Sequence, residues 1–204
     1  LANQLASHMG FTPEDISRVG RFWQSDNVTQ SAGLNAVELF RAVEEGRIKA
    51  VWIMGTNPLV SLPDADRVRA GLARCPLVIV SDIIRDTDTT RAAHICLPAL
   101  GWGEKNGTVT NSERCISRQR AFLPAPGEAK PDWWILSQVA QRLGFAEAFS
   151  YQHPAEIFRE HAALSGFENH GSRAFDISGL AQLSDEEWDT LQPVQWPVNA
   201  ANPQ

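Results

Sequence analysis

Cysteine is scarce in this 204-residue chain, with only Cys75, Cys96 and Cys115. They form no Cys-x-x-Cys pair and no Cys/His cluster with metal spacing, so no metal site made by this chain alone is expected. Three separate thiols suit a reducing cytosol, and the apolar neighbours of Cys75 and Cys96 predict core positions for both. The five histidines (8, 94, 153, 161 and 170) share no helix-face spacing and read as polar or helix-end residues. No run of eighteen apolar residues exists, so no membrane span is expected. The opening "LANQLASHMG" lacks the basic start and apolar centre of a signal peptide. It begins with Leu rather than Met, and the chain is read as a piece of something longer. Positive charge is in deficit, 18 Lys and Arg against 24 Asp and Glu, for a net charge of −6. The one local basic cluster, "RCISRQR" from Arg114 to Arg120, reads as a solvated face or a set of local ion pairs, and nucleic acid is not an expected partner. A P-loop, GxGxxG, GxSxG and a His-rich metal helix are all missing. Phosphate binding by a glycine-rich loop and a nucleophilic triad therefore have no support, and no catalytic residue is assigned.

What the chain does have is a soluble-protein composition, 43% hydrophobic and 21% charged, and enough length for a sizeable core. Residues 1–34 read as a helical lead-in with a polar, turn-rich stretch, "QSDNVTQSAG". From residue 35 the pattern changes. Asn35 with Glu38 makes a capping-box start, Ala36, Val37, Phe40 and Val43 recur at helical spacing, and Gly46 stops the helix. "VWIM" (51–54) follows as a strand. Pro63 and Asp64 open a second helix with Ala65, Val68 and Leu72 on one face, after which "LVIV" (77–80) is a strand buried on both sides. "HICLPAL" supplies a third short strand ended by Pro98. Alternating strands and helices at this spacing give right-handed crossovers. The predicted class is therefore α/β: a parallel, Rossmann-like sheet with helices on both faces, plus irregular loops and C-terminal helices. "GWGEKNGTVTNSER" and its continuation read as turns and short extended pieces. Asp132 is placed to cap a helix through Leu143 with Ile135, Leu136, Val139 and Leu143 as its apolar face. Helices are also predicted from Pro154 to Leu164 and from Ser184, ahead of an irregular end. These readings divide the chain into a lead-in (1–34), an α/β domain (35–150) and a helical extension (151–204).

Parallel α/β sheets bind ligands beyond the carboxyl ends of their strands. "GTNP" follows the first strand directly and "SD" the second, so both loops should share one rim. Thr56, Asn57, Ser81, Asp82, Lys105 and Asp132 are the polar residues on such loops. Carboxylates with Asn and Ser suit hydrogen bonds to a base and a ribose, and a lysine suits a phosphate, so a purine nucleotide is chemically reasonable. Turn-forming, capping and ion-pair roles account for the same residue types equally well.

Four blocks carry a further signal: "IKAVWIMGTNP", "PLVIVSD", "AHICLPALGWGEKNGTVTNSER" and "PGEAKPDWWILSQVAQRLGF". In order and spacing they resemble the molybdopterin oxidoreductase superfamily, and within it most of all the catalytic subunits of assimilatory nitrate reductases. The resemblance implies a piece of a cytoplasmic enzyme that reduces nitrate to nitrite at a molybdenum bis(molybdopterin guanine dinucleotide) cofactor. Its 4Fe-4S cluster motif and molybdenum ligand would belong to parts of the parent enzyme outside this chain. The expected partners are the parent's remaining domains and an electron-donor protein or subunit. Carried over by position, Asn57 of "GTNP", Ser81 and Asp82 of "VSD", Lys105 of "WGEKNG" and Asp132 of "KPDWW" would contact one guanine dinucleotide arm, with Asp82 accepting from the guanine N–H groups. Thr56 and Thr87 would be secondary contacts to ribose or phosphate. A formate dehydrogenase or other superfamily member, and a non-redox nucleotide-binding module, are the alternatives.

Overall fold

The computed structural model describes residues 4–203. In chain order it contains α1 (Pro13–Trp23), α2 (Ala36–Glu44), β1 (Ala50–Met54), α3 (Pro58–Ser61), α4 (Ala65–Arg74), β2 (Leu77–Asp82), β3 (Ile95–Pro98), β4 (Gly107–Thr110), β5 (Cys115–Gln119), α5 (Asp132–Arg142), α6 (Pro154–Gly166), α7 (Asp185–Thr190) and β6 (Val194–Gln195). The chain forms two compact units, each discontinuous in sequence. One comprises residues 34–105 and 121–149, the other the described residues of 1–33, 106–120 and 150–204. None of the helices among the described residues is long and apolar enough to cross a membrane.

The 34–105/121–149 unit is the α/β one. β1, β2 and β3 pair in parallel in that order, Ala50 to Met54 against Leu77 to Ser81 and Ile79 to Asp82 against Ile95 to Pro98. Asn35 caps α2, accepting from the Glu38 N–H while Glu38 reaches back to the Asn35 N–H, and the chain turns at Gly46 with φ +72°. Phe40 and Val43 of α2 join Val68 and Leu72 of α4 and the strand residues Val51, Ile53, Val78 and Val80 in one core. Gly71 lets the two helices approach, since a Cβ there would lie 3.1 Å from the Glu44 backbone. The strands alternate rather than burying every residue: Val51 and Ile53 are buried while Trp52 and Met54 are partly exposed, and Val78 and Val80 are buried while Ile79 is partly exposed. The unbroken apolar runs predicted burial on both faces, but α2 and α4 share the face presented by Val51, Ile53, Val78 and Val80.

Three further expectations for this unit are corrected. Cys75 is buried, but Cys96 is exposed, because β3 lies at the end of the three-strand order with little packed on it. Asp132 is the first residue of α5, not its cap; Pro131 holds the cap position and no side chain caps the helix. The face predicted for α5 buries Ile135, but Leu136 and Leu143 are exposed.

The other unit is built around Trp188, Ile177, Phe158, Ala162, Ile116 and Val194. Thr12 caps α1, and Ser184 and Glu187 form a capping box at α7. β4 and β5 form an antiparallel hairpin, and β6 adds a third strand beside β5 within a stretch predicted to be irregular. Arg118, nearly buried, stacks its guanidinium 3.5 Å from the Trp188 ring centroid and pairs with Asp189 at 2.9 Å. The "RCISRQR" cluster thus includes a buried arginine that fastens the hairpin to α7.

Candidate functional site

Parallel pairing gives β1, β2 and β3 one direction, so the loops after them leave the same edge of the sheet. The ladder continues past the strands. Gly55 N–H donates to Ser81 O at 3.0 Å, and Ala99 N–H to Asp82 O at 3.0 Å. Beyond β3, Ala99 pairs in parallel with Lys130, with Lys130 N–H donating to Pro98 O and Leu100 N–H to Lys130 O, both at 3.1 Å. Asp132 follows two residues later. The loops beginning at Gly55, Asp82, Ala99 and Pro131 therefore depart from one rim, and Asn57, Asp82 and Asp132 stand at or just past its strand ends.

Most of the predicted residues have a defined local role. Gly55 adopts φ +62°, a left-handed conformation that glycine takes without a steric cost, and no atom lies within 4 Å of where its Cβ would be. The chain can therefore turn sharply and leave open space above the strand end. Asn57 precedes α3 but does not cap it with its side chain. Its Oδ1 accepts from the Thr89 hydroxyl at 2.6 Å. Its Nδ2 has no protein partner among the described residues. Asp82 accepts the Ile84 N–H on Oδ1 at 3.0 Å, an Asx turn that orients the carboxylate. Oδ2 is left without a protein partner among the described residues.

Ser81 is different. It is fully buried, and its hydroxyl accepts from Trp52 Nε1 at 2.8 Å. Its side chain supports the strand pair, and only its backbone carries the ladder to Gly55. Lys105 follows a short turn fastened by Gly101 N–H donating to Glu104 Oε2 at 2.7 Å, and its ammonium reaches Asp132 Oδ2 at 3.0 Å. Both side chains are partly exposed, so the pair contributes about 1 kcal/mol or less. An ammonium has three donors, so Lys105 can keep Asp132 and still meet an anion. Thr56 is exposed, whereas Thr87 is engaged in its own loop, where its hydroxyl accepts the Thr90 N–H at 3.0 Å.

The rim thus combines an oriented carboxylate, a fixed carboxamide and an ammonium held by a second carboxylate. This donor set fits a nucleoside phosphate. A carboxylate accepts from base N–H groups, and an ammonium pairs with phosphate. Among the described residues no group of three or more His, Cys, Asp or Glu is arranged to hold a metal ion. A small cavity of about 40 Å³ between α2 and α4, lined by Phe40, Glu44, Arg67 and Val68 among others, shares no residue with the rim. Sequence reasoning missed Thr89. The Thr-rich "DTDTT" was visible, but a bond across 32 positions has no local signature.

Comparison with known proteins covers nearly the whole chain. Residues 2–142 match the family model for molybdopterin oxidoreductase. A nitrate reductase of Klebsiella oxytoca is 65% identical over 199 residues, 98% of this chain and 23% of that protein. A nitrate reductase of Shewanella frigidimarina is 51% identical over 98% of this chain and 22% of its own length. The alpha subunit of F420-dependent formate dehydrogenase 2 from Methanococcus maripaludis is 35% identical over 88% of this chain and 26% of its own. The chain therefore spans about a quarter of the curated relatives it matches. Acetylene hydratase from Pelobacter acetylenicus shares the fold, with a TM-score of 0.63 at 20% identity over 90% of this chain and 24% of that one. With the parallel sheet and the breadth of these matches together, the chain belongs to the molybdopterin oxidoreductase family.

Proposed function

We propose that the chain is the part of a cytoplasmic, molybdenum-dependent nitrate reductase that grips one guanosine arm of a bis(molybdopterin guanine dinucleotide) cofactor. Likeness to nitrate reductases along almost its entire length supports the parent activity. The guanosine assignment is carried by one observation. Asp82 stands at the carboxyl end of β2 with one oxygen fixed by Ile84 N–H and the other without a protein partner among the described residues. A carboxylate so held is matched to the paired N–H donors of guanine, Asn57 offers a donor from the loop after the neighbouring strand β1, and Lys105 suits the phosphates.

When bound, the molybdenum cofactor supplies the redox chemistry, with electrons relayed through the parent's iron–sulfur cluster. This chain's residues bind and orient. No side chain of the rim acts as an acid, base or metal ligand, so the isolated chain is inactive in nitrate reduction. The remaining domains of the parent and an electron-donor protein are its partners in turnover. A formate dehydrogenase parent is the second reading, supported by the Methanococcus maripaludis relative, and it ranks below the first at 35% identity against 65%. The rim would do the same work in either.

The test is a titration of the full chain with guanosine diphosphate, followed by tryptophan fluorescence. Asp82→Asn keeps an oxygen for the Ile84 N–H but removes the charge. A hydrogen bond to a charged group contributes about 1.5–3 kcal/mol, so affinity should fall roughly ten- to a hundredfold. Equal affinity for the variant and the parent chain would refute the assignment of Asp82.

A further inference from the structure

The residue that holds Asn57 is itself informative. An asparagine at the position before a helix ordinarily turns its side-chain oxygen onto the helix's own second or third N–H. Asn57 does not, and no side chain of its own caps α3. The N–H of Leu59, the second residue of α3 and the first with an N–H because it follows Pro58, instead donates to Thr89 Oγ1 at 3.3 Å, from 30 residues along the chain. Thr89 is completely buried, so its hydroxyl proton needs an acceptor inside the protein. Asn57 Oδ1 at 2.6 Å provides it. One hydroxyl therefore takes over the capping of α3 and turns the freed Asn57 side chain into an acceptor toward the interior.

The loop carrying Thr89 is built to keep it there. Thr87 N–H donates to Thr90 Oγ1 at 2.7 Å, Thr90 N–H to Thr87 Oγ1 at 3.0 Å, and Thr90 Oγ1 to Arg85 O at 3.0 Å. Arg91 forms a two-pronged pair with Asp86 at 2.7 and 3.0 Å. Thr89 thus ties the loop after β2 to the loop after β1.

We propose that Thr89 is a positioning residue of the rim. By accepting from Leu59 and donating to Asn57 Oδ1, it fixes the Asn57 carboxamide with its NH₂ turned away from Thr89 and without a protein partner among the described residues. The ligand atom that Asn57 meets is then a hydrogen-bond acceptor, a phosphate, ribose or base oxygen of the nucleotide. The inference rests on the guanosine reading of the rim, and its test separates the two.

Two readouts on the full ¹⁵N-labelled chain decide it. In the absence of nucleotide, the Asn57 side-chain NH₂ protons should exchange with water as rapidly as those of an unbonded amide. Protected protons would mean that the nitrogen faces Thr89, and the inference would be wrong. With guanosine diphosphate, Thr89→Val should bind about fivefold to tenfold more weakly, the loss of roughly one neutral hydrogen bond. Thr89→Ser, which keeps the hydroxyl, should bind within twofold of the parent chain. On an Asn57→Ala background, Thr89→Val should cause no further loss. Undiminished binding by Thr89→Val, or an equal loss in Thr89→Ser, would overturn the positioning role, the latter pointing to methyl packing instead. If the parent chain itself fails to bind guanosine diphosphate, the guanosine reading falls, and the orientation of Asn57 stands or falls on the exchange readout.

Discussion

Gly55 shows how a single residue joins fold to site. Its φ of +62° is the region in which L-residues incur a backbone penalty, and the space where a Cβ would go is open. Replacement by alanine therefore carries a conformational cost without a packing clash, about 1–2 kcal/mol of stability. Urea denaturation of Gly55→Ala checks this. A loss beyond about 4 kcal/mol would mean that the position is crowded, contrary to the open rim described. At this scale the sequence was most readable where chemistry is local: Asn35 and Glu38 form the expected capping box, and Gly46 turns the chain. It was least readable where a side chain is claimed by a distant partner. Asp132 reads as a helix cap but is drawn to Lys105, 27 residues away. Ser81 reads as a rim residue, yet its hydroxyl is held by Trp52 on the neighbouring strand.

Among the elements, the α2–α4 pair makes the most direct statement about pH. Arg67 holds Glu44 through two hydrogen bonds, at 3.1 and 2.7 Å, and Arg74 donates to the Glu44 carbonyl at 3.0 Å. The hydrogen bond from Arg67 comes first among the causes that lower the Glu44 carboxyl below its ordinary 4.5. A carboxylate with a depressed folded pKa binds fewer protons folded than unfolded. Its contribution is therefore complete above pH 4.5 and is lost as pH falls through the lower folded value. Glu44→Gln should flatten that part of the stability profile below pH 4.5 and leave the profile near neutrality unchanged. Thermal melts between pH 3 and 7 would show this; identical acid slopes in both proteins would remove Glu44 from the account. Strand and helix order in this region was legible because apolar spacing records which face is buried. Burial on both faces was not legible. A run such as "LVIV" has the same composition whether one side or two are covered, and only the structure shows Val78 and Val80 buried with Ile79 partly exposed.

For the molecule as a whole, the sequence divides by pattern at residues 34 and 150, while contacts group the chain into two units that are each discontinuous in sequence. The β4–β5 hairpin groups with residues 1–33 and 150–204. Linear reading has no means of assigning it so, because the contacts that do it come from α6, α7 and β6, which all lie well beyond it in the chain. The α/β unit by itself carries every residue of the proposed nucleotide rim. The central claim is that this rim holds guanosine phosphate, and the most direct measurement is an amide NMR titration of the full chain with guanosine diphosphate. The account predicts saturable shifts concentrated at residues 55–57, 82–84, 105 and 132, with α1 and α6 unmoved. Saturating nucleotide that leaves those rim amides unchanged, or that shifts α1 and α6 in their place, would contradict it.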